Sequence, residues 1–103
     1  MRTHETEELA RLLKALGEYN RLSLVYELCQ CETAENAMCL CECCSVDASV
    51  ASRHLKALAQ ENIVQIERRG RERLYTLNRK HVAQQLRALA DQIEGGNDSQ
   101  KIA

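Results

Sequence analysis

The chain has 103 residues, 45% of them hydrophobic, and a formal net charge of −1 at neutral pH. That length specifies one domain, and its aliphatic composition (three Tyr, no Phe, no Trp) gives a core that gains from further burial in a dimer. No leader-like N-terminus and no apolar run near the ~18 residues of a membrane span are present, which predicts a cytoplasmic protein with no membrane partner. In that compartment six cysteines point to metal or redox chemistry rather than to a disulfide framework.

The charge is unevenly spread. Residues 1–47 hold four Lys/Arg against nine Asp/Glu, a local −5, and residues 53–81 hold eight against three, a local +5. Phosphate groups respond to the local field, so the second half is suited to a nucleic-acid face despite the acidic total.

In chain order, Leu9, Leu12, Leu13 and Leu16 form one stripe of a helix that stops at Gly17, with Glu5, Glu7 and Glu8 in its first turn. Asn20 is expected to cap a second helix to about Cys29 that buries Leu22, Val25 and Leu28. Thr33 or Asn36 opens a short third helix, and Ser45 or Asp47 opens a fourth with Ala51, Leu55, Leu58 and Ala59 at helical spacing. The turn between them is short, as in a helix-turn-helix.

The period then shortens. Val64 and Ile66 alternate with polar residues, Arg69-Gly70-Arg71 turns the chain, and Arg73, Tyr75 and Leu77 alternate with Leu74 and Thr76. Val82, Leu86, Leu89 and Ile93 return to helical spacing until Gly95-Gly96. The expected domain is therefore residues 1–96, followed by a polar, disordered tail, 97–103. The expected fold is a mainly α winged helix-turn-helix, α-α-α-α-β-β-α, and the leucine stripes of its first and last helices are suited to a dimer interface.

A helix that enters the major groove offers its N-terminal side chains to base edges. Here those are Ala48, Ser49, Ser52 and Arg53, flanked by His54 and Lys56, and Arg68, Arg69, Arg71 and Arg73 crowd the hairpin tip. The arginines suit guanine edges or phosphates, the serines either.

Three stretches carry a family resemblance: Ala15-Leu16-Gly17-Glu18-Tyr19-Asn20-Arg21-Leu22, Ser52-Arg53-His54-Leu55-Lys56-Ala57-Leu58, and Arg69 to Leu77. In this order and spacing they resemble the first junction, the recognition helix and the wing of the ArsR/SmtB family of bacterial metal-responsive repressors. The resemblance spans residues 7–94 and implies a homodimer that represses an operator until an inducer releases it.

The thiols depart from that family. Its Cys-x-Cys pair near the start of the third helix falls here on Asn36 and Met38, whereas the cysteines stand at Cys39, Cys41, Cys43 and Cys44, with Cys29 and Cys31 upstream. A second family site, for zinc on the last helix, falls on Arg79, His81, Gln92 and Gly95, of which only His81 is a suitable donor.

On a helix, Cys39 and Cys43 share one face and Cys41 and Cys44 another. Three thiolates suit As(III), Sb(III) or Hg(II); four suit Zn(II) or Cd(II); Cys29 and Cys31 are additional candidate ligands. The expectation is a repressor, not an enzyme, released by a thiophilic ion, As(III) foremost. Two alternatives stay open: redox or reactive-sulfur sensing on the same fold, and a zinc-stabilised interaction module.

Overall fold

The computed structural model describes residues 2–37, 40 and 47–102, with side chains over 4–37, 40 and 47–95. Its elements are α1 (Arg2–Leu16), α2 (Tyr19–Gln30), α3 (Ala48–Gln60), β1 (Val64–Arg69), β2 (Glu72–Leu77) and α4 (Arg79–Ile102). Ala37 and Leu40 add helical backbone between α2 and α3, and the Leu40 N–H donates to the Asn36 carbonyl at 3.2 Å. Asn36, not Thr33, is thus the residue at which that segment opens. The remainder of the expected third helix, with Cys39, Cys41, Cys43, Cys44 and Ser45, lies outside the described residues.

Three helices meet on aliphatic stripes. Leu12, Ala15 and Leu16 of α1, Leu24, Val25 and Leu28 of α2, and Ala51, Leu55 and Leu58 of α3 are all buried, joined by Leu40, Ile63, Val64, Tyr75 and Val82. Leucines at zero exposure, such as Leu55 and Leu58, make truncation costly, about 2–5 kcal/mol each for Leu→Ala. The α2 row differs from expectation, because Leu22 is 39% exposed and Leu24 takes the buried place. The helix also starts earlier than expected. Glu18, extended at φ −85° and ψ 133°, is its N-cap and accepts from the Arg21 N–H at 2.9 Å, so Asn20 sits within the first turn. Helix α1 begins at Arg2, which leaves only Glu5 in its first turn.

Both ends of α3 are fixed by local chemistry. At the start, the Asp47 carboxylate accepts from the Val50 N–H at 2.9 Å and the Ser49 hydroxyl at 3.1 Å. At the end, the Ile63 N–H donates to the Leu58 carbonyl and the Asn62 N–H to the Ala59 carbonyl, the paired closure of a Schellman cap. Asn62 supplies the left-handed residue at φ 62°. The cap delivers Ile63, fully buried, straight into β1.

β1 and β2 pair antiparallel from Val64↔Leu77 to Arg69↔Glu72, leaving Gly70-Arg71 as a two-residue turn. Gly70 has φ +60°, the positive first position of a type II′ turn, which matches the twist of the strands. The alternation read from sequence holds only in part: Ile66 is 41% exposed, while neighbours Leu74 and Tyr75 are both buried. Tyr75 lies between two extended neighbours, Ile66 on β1 and Glu35 from the α2–α3 connection, which pairs with it through hydrogen bonds of 2.7 and 3.1 Å.

α4 is rooted by buried Val82, while Leu86 and Ile93 are exposed. The expected stop at Gly95-Gly96 is absent, since the helix runs on to Ile102. Glycine lowers helix stability by about 1 kcal/mol relative to Ala but does not force an end, and the chain contains no Pro to do so.

The caps of α3 can be tested separately. Asn62→Ala should cost about 1 kcal/mol, or about 4–8 °C in Tm, while Asn62→Gly should be neutral or stabilising; equal losses for both would refute the left-handed cap. Hydrogen bonds from Val50 and Ser49 hold the Asp47 carboxyl below its ordinary pKa, so its stabilisation exists above the ordinary carboxylate range and vanishes as pH falls through the folded value. Asp47→Ala should therefore lower Tm at pH 7, with the gap from wild type narrowing at acid pH; a gap independent of pH would contradict the cap.

Candidate nucleic-acid interface and thiol segment

The exposed face of α3 follows from its buried one. Ser49, Arg53 and Lys56 lie opposite the Ala51, Leu55 and Leu58 stripe and face solvent. Ser49 is also committed to the Asp47 cap, which orients its hydroxyl at the first turn. Ser52 is half-buried and lines an open cleft of about 440 Å³ with Asn36, Arg68, Arg71, Glu72 and Arg73. The recognition helix and the wing thus share one polar concavity.

The wing is exposed from Gln65 to Arg73. Arg68 and Arg73 stand directly opposite each other across the strands, an arrangement of like charges that destabilises a hairpin. Beside them, Arg69 Nε donates to Glu67 Oε2 at 3.1 Å, a pair that includes neither of these two arginines. A cationic pair retained against its own stability is the pattern expected of an anion-binding surface.

His54 differs from the other sequence candidates. Its Nδ1 accepts from Arg21 Nε at 3.3 Å, its Nε2 lies 3.9 Å from Glu18 Oε1, and its side chain is only 19% exposed. The same Arg21 reaches the Ala15 carbonyl at 3.5 Å. His54 therefore ties the recognition helix to the α1–α2 junction and does not face the groove side. The signal was present in its spacing, three residues after Ala51 and four before Leu58, on the buried stripe.

Arg79 is a functional side chain that sequence reading treated only as an unsuitable zinc donor. Its Nη2 donates to the carbonyls of Leu28, Cys29 and Cys31 at 3.2, 3.2 and 2.9 Å, closing the C-terminus of α2 with a cation. The side chain is thereby committed to backbone oxygens, and the root of α4 is fastened to the segment that leads into the thiols.

Among the six cysteines, Cys29 and Cys31 are described. Cys29 is exposed, whereas Cys31 is half-buried and its thiol donates to the Glu27 carbonyl at 3.2 Å. Burial, then Glu35 and Glu27, push the Cys31 thiol above its ordinary pKa, against a smaller opposing pull from Arg79. That environment favours the thiol over the thiolate. Among the described residues no three His, Cys, Asp or Glu side chains converge as a metal site. The ligand set centred on Cys39, Cys41, Cys43 and Cys44 lies outside them.

No family model matches the chain. It is 38% identical over 72 residues to the arsenical resistance operon repressor of Bacillus subtilis (strain 168), covering 67% of this chain and 65% of that protein. The chain thus spans just under two thirds of that relative's length. A solved structure of a possible transcriptional regulator for arsenical resistance is 30% identical, with 80% of this chain and 82% of that one covered and a TM-score of 0.68. The homodimeric winged helix-turn-helix DNA-binding domain of a possible ArsR-family regulator from Mycobacterium bovis shares the fold, with a TM-score of 0.71 at 24% identity over 91% and 84% of the two chains. With its junction, recognition helix and wing assembled as that architecture requires, the chain belongs to the ArsR/SmtB family of winged-helix transcriptional regulators.

Proposed function

We propose that this protein is a homodimeric, DNA-binding repressor of the ArsR/SmtB type that leaves its operator when a thiophilic metal or metalloid, As(III) foremost, engages its cysteine cluster. The observation that carries the DNA-binding half is the shared concavity of α3 and wing, lined by Arg68, Arg71 and Arg73, with Arg53, Lys56 and Arg69 exposed on the same two elements. Arg53, with Ser49 and Ser52 beside it, serves base edges, and the wing arginines serve phosphates; His54 acts from behind, as a packing residue. The reading is of a regulator and not an enzyme, as are the family's named relatives.

The dimer is supported by what one protomer leaves uncovered. Leu13 on α1 and Leu86 and Ile93 on α4 are exposed apolar side chains on the first and last helices. A two-fold dimer would bury them and present two recognition helices to half-sites about one helical turn apart.

The inducer half rests on donor chemistry. Cys39, Cys41, Cys43 and Cys44 furnish an all-sulfur set matched to As(III), Sb(III), Hg(II) or Cd(II), with Zn(II) as a harder competitor. The additional candidates are Cys29, which is exposed, and Cys31, which is half-buried. Moving the bound form from 99% to 1% requires about 5.5 kcal/mol of coupling, within the reach of several metal–thiolate bonds.

The test is fluorescence anisotropy on a duplex carrying the protein's own promoter, across a salt series. Affinity should fall steeply with salt; each wing Arg→Ala change should weaken binding uniformly and flatten the salt slope by about 1. Arg53→Ala should cost about 1–3 kcal/mol and relax base preference at one position. Arsenite should release wild type at micromolar levels, and Cys43→Ser and Cys44→Ser should bind but fail to let go. Absence of salt-sensitive binding to the duplex would overturn the DNA reading. Release by diamide or polysulfide, with metals inert, would replace the inducer by a redox signal.

A further inference from the structure

The cleft between recognition helix and wing holds one anionic side chain. Glu72 lines it together with Arg68, Arg71 and Arg73, yet among the described residues its carboxylate forms no ion pair with any arginine. It accepts instead from the Asn36 side-chain amide, Nδ2 to Oε2, at 3.2 Å. Asn36 is also where helical backbone begins toward the cysteines, three residues before Cys39, through the Leu40 N–H bond to its carbonyl. Its neighbour Glu35 is joined to β2 by the reciprocal backbone pair with Tyr75. The thiol-bearing segment is therefore attached to the wing at two adjacent residues, one through backbone and one through a side chain that grips a carboxylate.

We propose that Asn36 positions Glu72, drawing its carboxylate toward the α2–α3 connection so that the wing arginines stay available to phosphate, and that displacement of the cysteine segment releases it. A freed Glu72 ion-pairs with the arginines around it and competes directly with DNA. This rests on the repressor reading above and adds the route: the inducer acts through the wing's charge as well as through the pose of α3. The paired Glu35–Tyr75 backbone and the buried Leu40 keep the approach to the cysteines in place, so the change required is loss of the Asn36–Glu72 hydrogen bond and not unfolding of the hairpin. A carboxylate directed at the arginines competes with phosphate for them, since charges within a Debye length of each other are incompletely screened.

The experiment is a double-mutant cycle on promoter-duplex binding, with wild type measured alongside. Asn36→Ala should weaken binding roughly three- to tenfold, and adding Glu72→Gln should return it to near the wild-type value, since removing the carboxylate removes the competitor. Glu72→Gln alone should bind as well as wild type or better and need roughly tenfold more arsenite for release. If Asn36→Ala binds normally, if the double variant stays as weak as Asn36→Ala, or if Glu72→Gln releases like wild type, the proposal is overturned while the repressor reading stands. A wild type that neither binds the duplex nor responds to arsenite removes both.

Discussion

Tyr75 is the residue on which the working parts converge. Its side chain is buried in the helical core, and its backbone pairs with Ile66 on one side and Glu35 on the other. The hairpin is thus anchored to the core at the β2 end, while everything from Gln65 to Arg73 projects into solvent. A two-stranded hairpin alone is marginally stable in water, so this anchoring is what gives the wing a fixed pose. The same residue fixes the start of the thiol segment. In the proposed switch, this shared attachment at Glu35 and Tyr75 makes the levers between ligand and DNA contact short.

Much of the fold was legible because period reports burial directly. The 51/55/58 stripe, the hairpin and its turn at Gly70 follow from spacing and from the demand for positive φ at a two-residue loop. Failures occurred where a side chain acted outside its usual role. Glu18 caps α2 because its longer carboxylate reaches the Arg21 amide from an extended backbone, although Asn20 has the more usual capping chemistry. Gly95-Gly96 lies inside a helix because propensity is a weak constraint in the absence of Pro. Leu74 and Tyr75, adjacent on one strand, are both buried because that end of the hairpin is covered on both sides, which no alternating pattern encodes.

The candidate site was half-legible for a related reason. Charge and exposure in Arg53, Lys56 and the wing arginines are composition-level signals that a sequence displays openly. The pairs Arg21–His54, Arg79 with the end of α2, and Asn36–Glu72 join residues 33, 48 to 51, and 36 positions apart. No local window contains both partners. For His54, the helical phase carried an inward signal, although the sequence reading set it among the DNA-facing residues.

These long-range contacts also account for an uneven distribution of stability. The core holds α1, α2 and α3 through aliphatic burial, which is stiff and insensitive to ligands. The peripheral joints are polar, exposed or part-exposed, and worth little individually, about 0.5–1.5 kcal/mol per hydrogen bond. A regulator needs both. If the recognition helix were attached by soft contacts, its pose would be lost to disorder; on the thiol side Leu40 is itself seated in the core, so any movement there pivots about that anchor. Arg79 holds the α2 terminus and Asn36 holds Glu72, both ahead of Cys39, so these polar joints lie on the N-terminal approach to the thiols. The reader itself remains seated on Leu55 and Leu58. In the proposed switch, charge at the DNA surface is redistributed without melting the scaffold that presents it.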